Sequence, residues 1–303
     1  MKSHGVLLFA LVFSSAIFLS SCVSTHWSQP VFEKDIYIGA LAPQTQFGNF
    51  IDAQAISIDA FGNIYVADAG APGIYKFDPH GDSIRAVIAL GKQHDQFDGP
   101  SDIDASLTNS VAVADRNNHR IEIYSKDLIW QASIPGHETG SKIQFGYPIA
   151  VRSAPAGNIF IIDGENKRAL SIQPENGSQQ VITLSGTESG IEMNPVSLTL
   201  GGNEFAAIDD AVSRSLIIFN NAYLPQAKVR FLPADKAKLS SSENMIYALD
   251  PNENVIRIFD AAGLGYKGSL AIPSGVNHAV ACFVYKGKYY ILTKERIVVC
   301  SMN

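Results

Sequence analysis

The stretch Asn63-Ile-Tyr-Val-Ala-Asp68, with Ile74-Tyr-Lys-Phe77 after it, decides the fold. It is a short alternating strand ending in Asp, a polar turn, and a second alternating strand. The pattern returns as Ser110-Val-Ala-Val-Ala-Asp115 with Ile121-Glu-Ile-Tyr124, and as Asn158-Ile-Phe-Ile-Ile-Asp163 with Leu170-Ser-Ile172. Further copies are Glu204-Phe-Ala-Ala-Ile-Asp209 with Leu216-Ile-Ile-Phe219, and Met245-Ile-Tyr-Ala-Leu-Asp250 with Ile256-Arg-Ile-Phe259. A worn sixth is Lys288-Tyr-Tyr-Ile-Leu-Thr293 with Ile297-Val-Val-Cys300. The marker residues Asp68, Asp115, Asp163, Asp209, Asp250 and Thr293 lie 47, 48, 46, 41 and 43 residues apart. A period of roughly 40–50 residues built from period-two strands marks the blades of a propeller. The expected fold is therefore all-β, a six-bladed β-propeller.

Each full repeat has room for four strands, which in the first are expected near 53–59, 63–67, 73–78 and 83–89. Turn clusters such as Phe61-Gly62 and Pro79-His80-Gly81-Asp82 separate them. The sixth repeat, from Asn277, has room for only three strands before Asn303. Phe32–Gly39 reads as an isolated strand with alternating Ile36 and Ile38, and Leu41–Ile51 reads as a loop. The expectation is that Phe32–Gly39 lies beside Ile297–Cys300 as the missing outer strand, closing the ring and hiding two edges.

The front of the chain has another character. Met1-Lys-Ser-His precedes an apolar run from Gly5 to Leu19, and small Ser20 and Ser21 precede Cys22. That is a secretory signal, too short for a comfortable membrane span. Leu19-Ser20-Ser21-Cys22 resembles the bacterial lipobox, which implies cleavage before Cys22 and acylation of that residue. Acyl chains at about 0.8 kcal/mol per buried CH₂ would give a stable anchor. The expected layout is a signal peptide over 1–21, the lipidated Cys and a tether over 22–30, and the propeller over 31–303. Val23 stands where the retention Asp of enterobacterial lipoproteins would be, which by that resemblance favours the periplasmic face of the outer membrane.

The 303 residues are 46% hydrophobic and 17% charged, an ordinary globular balance. A net charge of −6 and an export signal both argue against nucleic acid as a partner. Cys282 and Cys300 fall on the first and third strands of the last repeat, about 9.6 Å apart by strand spacing. That exceeds the reach of a bridge, so two buried free thiols are expected.

Phe97-Asp-Gly-Pro100-Ser-Asp-Ile103 through Asp115-Arg-Asn-Asn-His-Arg120-Ile121, and Phe145-Gly-Tyr-Pro148-Ile-Ala-Val151 through Asp163, resemble NHL repeats. The resemblance is good in repeats one to three, partial in four and five and poor in six. It implies the fold and leaves the activity open. Within it, an Asp at a strand end can meet an Arg returning from the turn in a charge-assisted hydrogen bond. The pairs expected are Asp115 with Arg120, Asp163 with Arg168, and Asp209 with Arg214. Gly73 and Val255 replace that Arg, leaving Asp68 and Asp250 without this partner.

Enzymes on related propellers include calcium-dependent lactonases and a zinc-dependent lyase. A calcium site would need acids and amides converging on the channel, for which Asp52, Asp102, Asp104, Asn194 and Asn277 are candidates without a legible ligand pattern. His26, His80, His94, His119, His137 and His278 show no metal spacing. No metal, cofactor or catalytic residue is therefore assigned. The function expected is a non-enzymatic binding scaffold: a monomeric, lipid-anchored domain whose rim loops hold a protein, peptide or glycan. Its candidate rim residues are Arg116, Asn117, Asn118, His119, Glu165, Asn166 and Lys167. The alternative is a calcium-dependent lactonase or esterase.

Overall fold

The computed structural model describes residues 36–302 apart from 108, 183–193, 202–205, 221–223, 231–236, 243 and 262–264. Cys22, the leader, the tether and positions 32–35 lie outside the described residues.

The alternating segments form strands where the repeat places them. In the first repeat these are Ala53–Ile58, Ile64–Asp68, Gly73–Phe77 and Ser83–Ile88. Four sheets of four antiparallel strands hold repeats one to four, and repeats five and six share one eight-stranded sheet. Burial falls from the axis outward. Ile64–Asp68 is buried at every position, whereas Ser83–Ile88 is exposed along nearly its whole length. The reason is packing: a middle strand is covered on both faces by neighbouring sheets, so it needs apolar residues without a break. One such core joins Ala55, Tyr65 and Ile74 of the first sheet to Ile103, Val111, Val113 and Tyr124 of the second.

The innermost strands are Ala53–Ile58, Pro100–Asp104, Pro148–Ser153, Pro195–Leu200, Lys238–Ser242 and Ala279–Tyr285. They touch in that order, and the last touches the first. The chain is an all-β propeller around an axial channel.

Ring closure differs from the sequence expectation. The closing strand is Tyr37–Phe47, so most of the expected loop is strand. Tyr37 to Ala40 runs parallel to Gly265–Ala271, the outer strand of the fifth repeat. Leu41 to Phe47 then pairs antiparallel with Ile297–Met302 as the outer strand of the sixth. A single strand thus joins both repeats into the eight-stranded sheet. Leu41 is buried, whereas Ile36 and Ile38 are 59% and 44% exposed, with Ile38 lying over Gly268 of the fifth repeat's outer strand. Cys282 and Cys300 are both free and buried.

Candidate functional site

The marker aspartates are latches. In the first three sheets each lies at the end of the second strand and collects N–H donors from the turn and from the loop leading into the sheet. Asp68 accepts from the backbone of Ile51, Asp52 and Gly70, all at 2.8 Å. Asp115 accepts from Asp98 N at 2.8 Å, Asn118 Nδ2 at 2.7 Å and Arg120 Nε at 2.9 Å. Asp163 does the same with Gly146 N at 3.0 Å, Asn166 Nδ2 at 2.8 Å and Arg168 Nε at 3.0 Å. Burial pushes the Asp115 carboxyl above its ordinary range despite these donors. Burial also pushes Asp163 up, but hydrogen bonds from Asn166, Gly146 and Arg168 outweigh it and hold that carboxyl low.

Two of the expected pairings are corrected. In the fourth repeat Asp210, not Asp209, stands opposite the first residue of the returning strand, Ser215. Arg214 sits in the turn at φ +49°, where its counterparts are His119 and Lys167, so it is not on that strand. Asp210 is latched by Asn194 N at 2.6 Å and Ser213 N at 3.0 Å. Asp250 does have an arginine: Arg257, two residues beyond the expected position, reaches it at 2.6 Å with both side chains buried.

The rim residues separate by what their side chains do. Asn118 and Asn166 close the latches, and Asn117 Nδ2 donates to Asp98 at 3.0 Å. Arg116, Glu165 and Lys167 are exposed, and His119 is half-buried. His119 meets His137, which no spacing along the chain would place beside it. The His137 ring lies 4.6 Å from the His119 ring, and His137 Nε2 is 3.5 Å from Glu165 Oε2. One ligating atom from each of His119, His137 and Glu165 lies within 4.8 Å of the others. Tyr147 stacks on His119 at 4.4 Å, and the Arg116 guanidinium covers the Tyr147 ring at 5.6 Å.

Three features make this a cation site in form. Among the described residues, Nδ1 of His119 is buried and finds no hydrogen-bond partner. Gly146 leaves the space that Glu165 occupies, since a Cβ there would stand 1.9 Å from Oε2. Two imidazoles and a carboxylate are also a zinc donor set, with ligand atoms in a tetrahedral site about 3.4 Å apart. The His137–Glu165 pair is already at that spacing, and both side chains are about half exposed and can close the remainder.

The axial channel holds other chemistry. All six innermost strands line a cavity of about 100 Å³ whose charged residues are Asp102, Asp104, Arg152 and Lys238. Of the five channel candidates only Asp102 and Asp104 reach it. Asp52 pairs with Lys294 at 2.9 Å, Asn194 latches Asp210, and Asn277 lines a separate rim cavity of about 500 Å³ with His278, Lys294 and Arg296. Asp102 accepts from Val151 N at 2.9 Å and Arg152 Nη1 at 2.6 Å. Asp104 accepts from Ser153 N at 2.7 Å and Ser106 Oγ at 2.9 Å. Both carboxylates accept from neutral or cationic donors of the protein, and the remaining three candidates lie away from them.

No protein-family model matches the chain, and no curated protein matches it. Solved structures do. A streptogramin B lyase is 15% identical with a TM-score of 0.59, over 83% of this chain and 79% of that one. A structure of a nidogen/laminin complex gives 16% and 0.57, over 73% and 81%. A gluconolactonase from Xanthomonas campestris gives 10% and 0.63, over 84% and 88%. At these identities the likeness carries the fold. It also corrects one expectation, because enzymes stand among the structures this chain resembles and a non-enzymatic reading loses its footing. The chain shares the propeller fold with lyases, a gluconolactonase and a nidogen/laminin complex.

Proposed function

We propose that the protein is a lipid-anchored, six-bladed NHL-like propeller of the bacterial cell envelope. In this reading the rim between its second and third sheets is the active site of a metal-dependent hydrolase or lyase acting on an ester or lactone. The observation that carries the reading is the convergence of His119, His137 and Glu165. A divalent ion held there would polarise a carbonyl or lower the pKa of a bound water.

The protein's own groups would do the rest. Tyr147 buttresses His119 and fixes its ring plane. The Asp163 latch holds the turn that carries Glu165, through Gly146 N and both nitrogens of Asn166. Arg116, exposed beside Tyr147, offers a cation to a carboxylate on the substrate. The two enzymes named above, a streptogramin B lyase and a gluconolactonase, support this direction at the level of fold.

The test is zinc titration by calorimetry with a panel of lactones and esters. One zinc per chain is expected, with His137→Ala and Glu165→Ala each lowering kcat/KM at least a hundredfold while the melting temperature holds. Absence of both zinc binding and turnover would overturn the reading. The anchor is checked by the intact mass of membrane-extracted protein: acyl chains on Cys22 are expected, and a Cys22→Ala chain should leave the membrane or remain unprocessed.

A further inference from the structure

The innermost strands are in register, so their channel residues form two layers. The first layer holds Ala55, Asp102, Ala150, Ser197, Lys238 and Ala281, each one step inward of its latch pair. The second holds Ser57, Asp104, Arg152, Thr199, Ser240 and Phe283.

These positions staple neighbouring sheets where they carry an acceptor. Ser57 Oγ accepts from Ala105 N at 2.9 Å, tying the first sheet to the second. Asp102 and Asp104 tie the second to the third through Val151 N and Ser153 N. Ser197 Oγ accepts from Leu239 N at 2.9 Å, tying the fourth to the fifth. In each case the donor is the residue just after the next sheet's layer position.

The third-to-fourth and sixth-to-first junctions, with Ala150 and Arg152 and with Ala281 and Phe283 at these positions, have no such staple, and the fifth-to-sixth junction places a cation there instead. Lys238 stands at the position of Asp102 and Ser197, and an ammonium can only donate. Among the described residues it makes no hydrogen bond or ion pair. Ser240, at the position of Ser57 and Asp104, is 5% exposed, and among the described residues its Oγ has no partner. By register the facing donors on the sixth repeat are Cys282 N and Val284 N. The two carboxylates lining the cavity are occupied: Asp102 pairs with Arg152 at 2.6 Å, and Asp104 accepts from Ser153 N and Ser106 Oγ. The half-buried Lys238 ammonium and the buried Ser240 hydroxyl thus meet here without a protein partner among the described residues, which is costly for a partly desolvated cation.

We propose that a small monovalent anion, of the size of a halide or formate, binds in the axial channel between Lys238 and Ser240 and supplies the acceptor that three other junctions take from side chains. The cavity of about 100 Å³ admits an ion of that size. It is below the roughly 300 Å³ at which pockets for larger ligands begin. Burial holds the lysine's pKa below its ordinary range, with Asp102 pulling it up and Arg152 pushing it further down. An anion would reverse that shift. The site is separate from the rim cluster and stands or falls without it.

The test soaks crystals of the protein in sodium bromide and records anomalous diffraction at the bromine edge, with formate calorimetry in solution. The expected result is a bromide peak within hydrogen-bond reach of Lys238 Nζ and Ser240 Oγ, with formate competing for it. Lys238→Met should abolish the peak and weaken formate at least tenfold. Should that variant fail to fold, Ser240→Ala is expected to weaken formate several-fold. Bromide found only elsewhere on the surface, or formate binding unchanged in the folded variants, overturns the proposal.

Discussion

Leu41→Ala tests how the ring closes. Leu41 is 4% exposed, lies where the closing strand passes from the fifth repeat to the sixth, and belongs to a core with Leu270, Cys300 and Ile256. Truncation removes three carbons, worth about 2.4 kcal/mol of transfer free energy at ~0.8 per group, and leaves a cavity that the fixed ladders on either side cannot collapse. The total is about 3–4 kcal/mol. With an unfolding entropy of about 2.1 cal/mol/K per residue over roughly 270 residues, the melting temperature should fall by about 5–7 °C. Ile36→Ala is the matched control, because Ile36 is 59% exposed and should shift melting by about 1 °C or less. Scanning calorimetry under reversible conditions reads both. If Ile36→Ala costs as much as Leu41→Ala, or Leu41→Ala melts with the wild type, the closure described here is wrong.

Arg257→Met should cost about 3–5 kcal/mol by stranding the buried Asp250 carboxylate. Adding Asp250→Asn should restore part of it, and strict additivity in denaturant melts would contradict that pairing. Burial pushes both thiols up, Cys300 to about 11, so neither should react with maleimide until the protein unfolds. Asp163 titrates below its ordinary value, so its stabilisation is present above the unfolded carboxylate pKa near ~3.9 and lost as pH falls through the folded one. The melting gap between wild type and Asp163→Asn should therefore be wide at neutral pH and shrink below about pH 4; a gap constant with pH would refute the assignment.

The repeat was legible because each middle strand is covered on both faces and must be apolar, and because each carries a latch residue at its end. Outer strands lack that constraint. Leu41 to Phe47 hides only Leu41 fully and contains Pro43, which reads as a strand breaker but is tolerated at an edge. The alternating Ile36 and Ile38 offered the stronger pattern, yet both are largely exposed. In the fourth repeat, adjacent Asp209 and Asp210 hid a one-residue shift that only pairing settles.

The rim cluster could not be read from spacing. His119 and Glu165 come from equivalent turns of successive repeats, and His137 from the link between them, so the fold supplies what local sequence does not. A signal was available: turn residues one repeat apart face each other on a propeller rim. The channel lysine had a signal too, a cation where Asp102 and Ser197 stand in the second and fourth repeats. Reading it required the ladders.

The most direct measurement is anomalous diffraction at the zinc edge from crystals of the protein grown with one equivalent of zinc. The account predicts a single strong peak about 2.0–2.2 Å from a nitrogen of His119, a nitrogen of His137 and a Glu165 oxygen. A peak placed elsewhere, or zinc bound without His119, would contradict it.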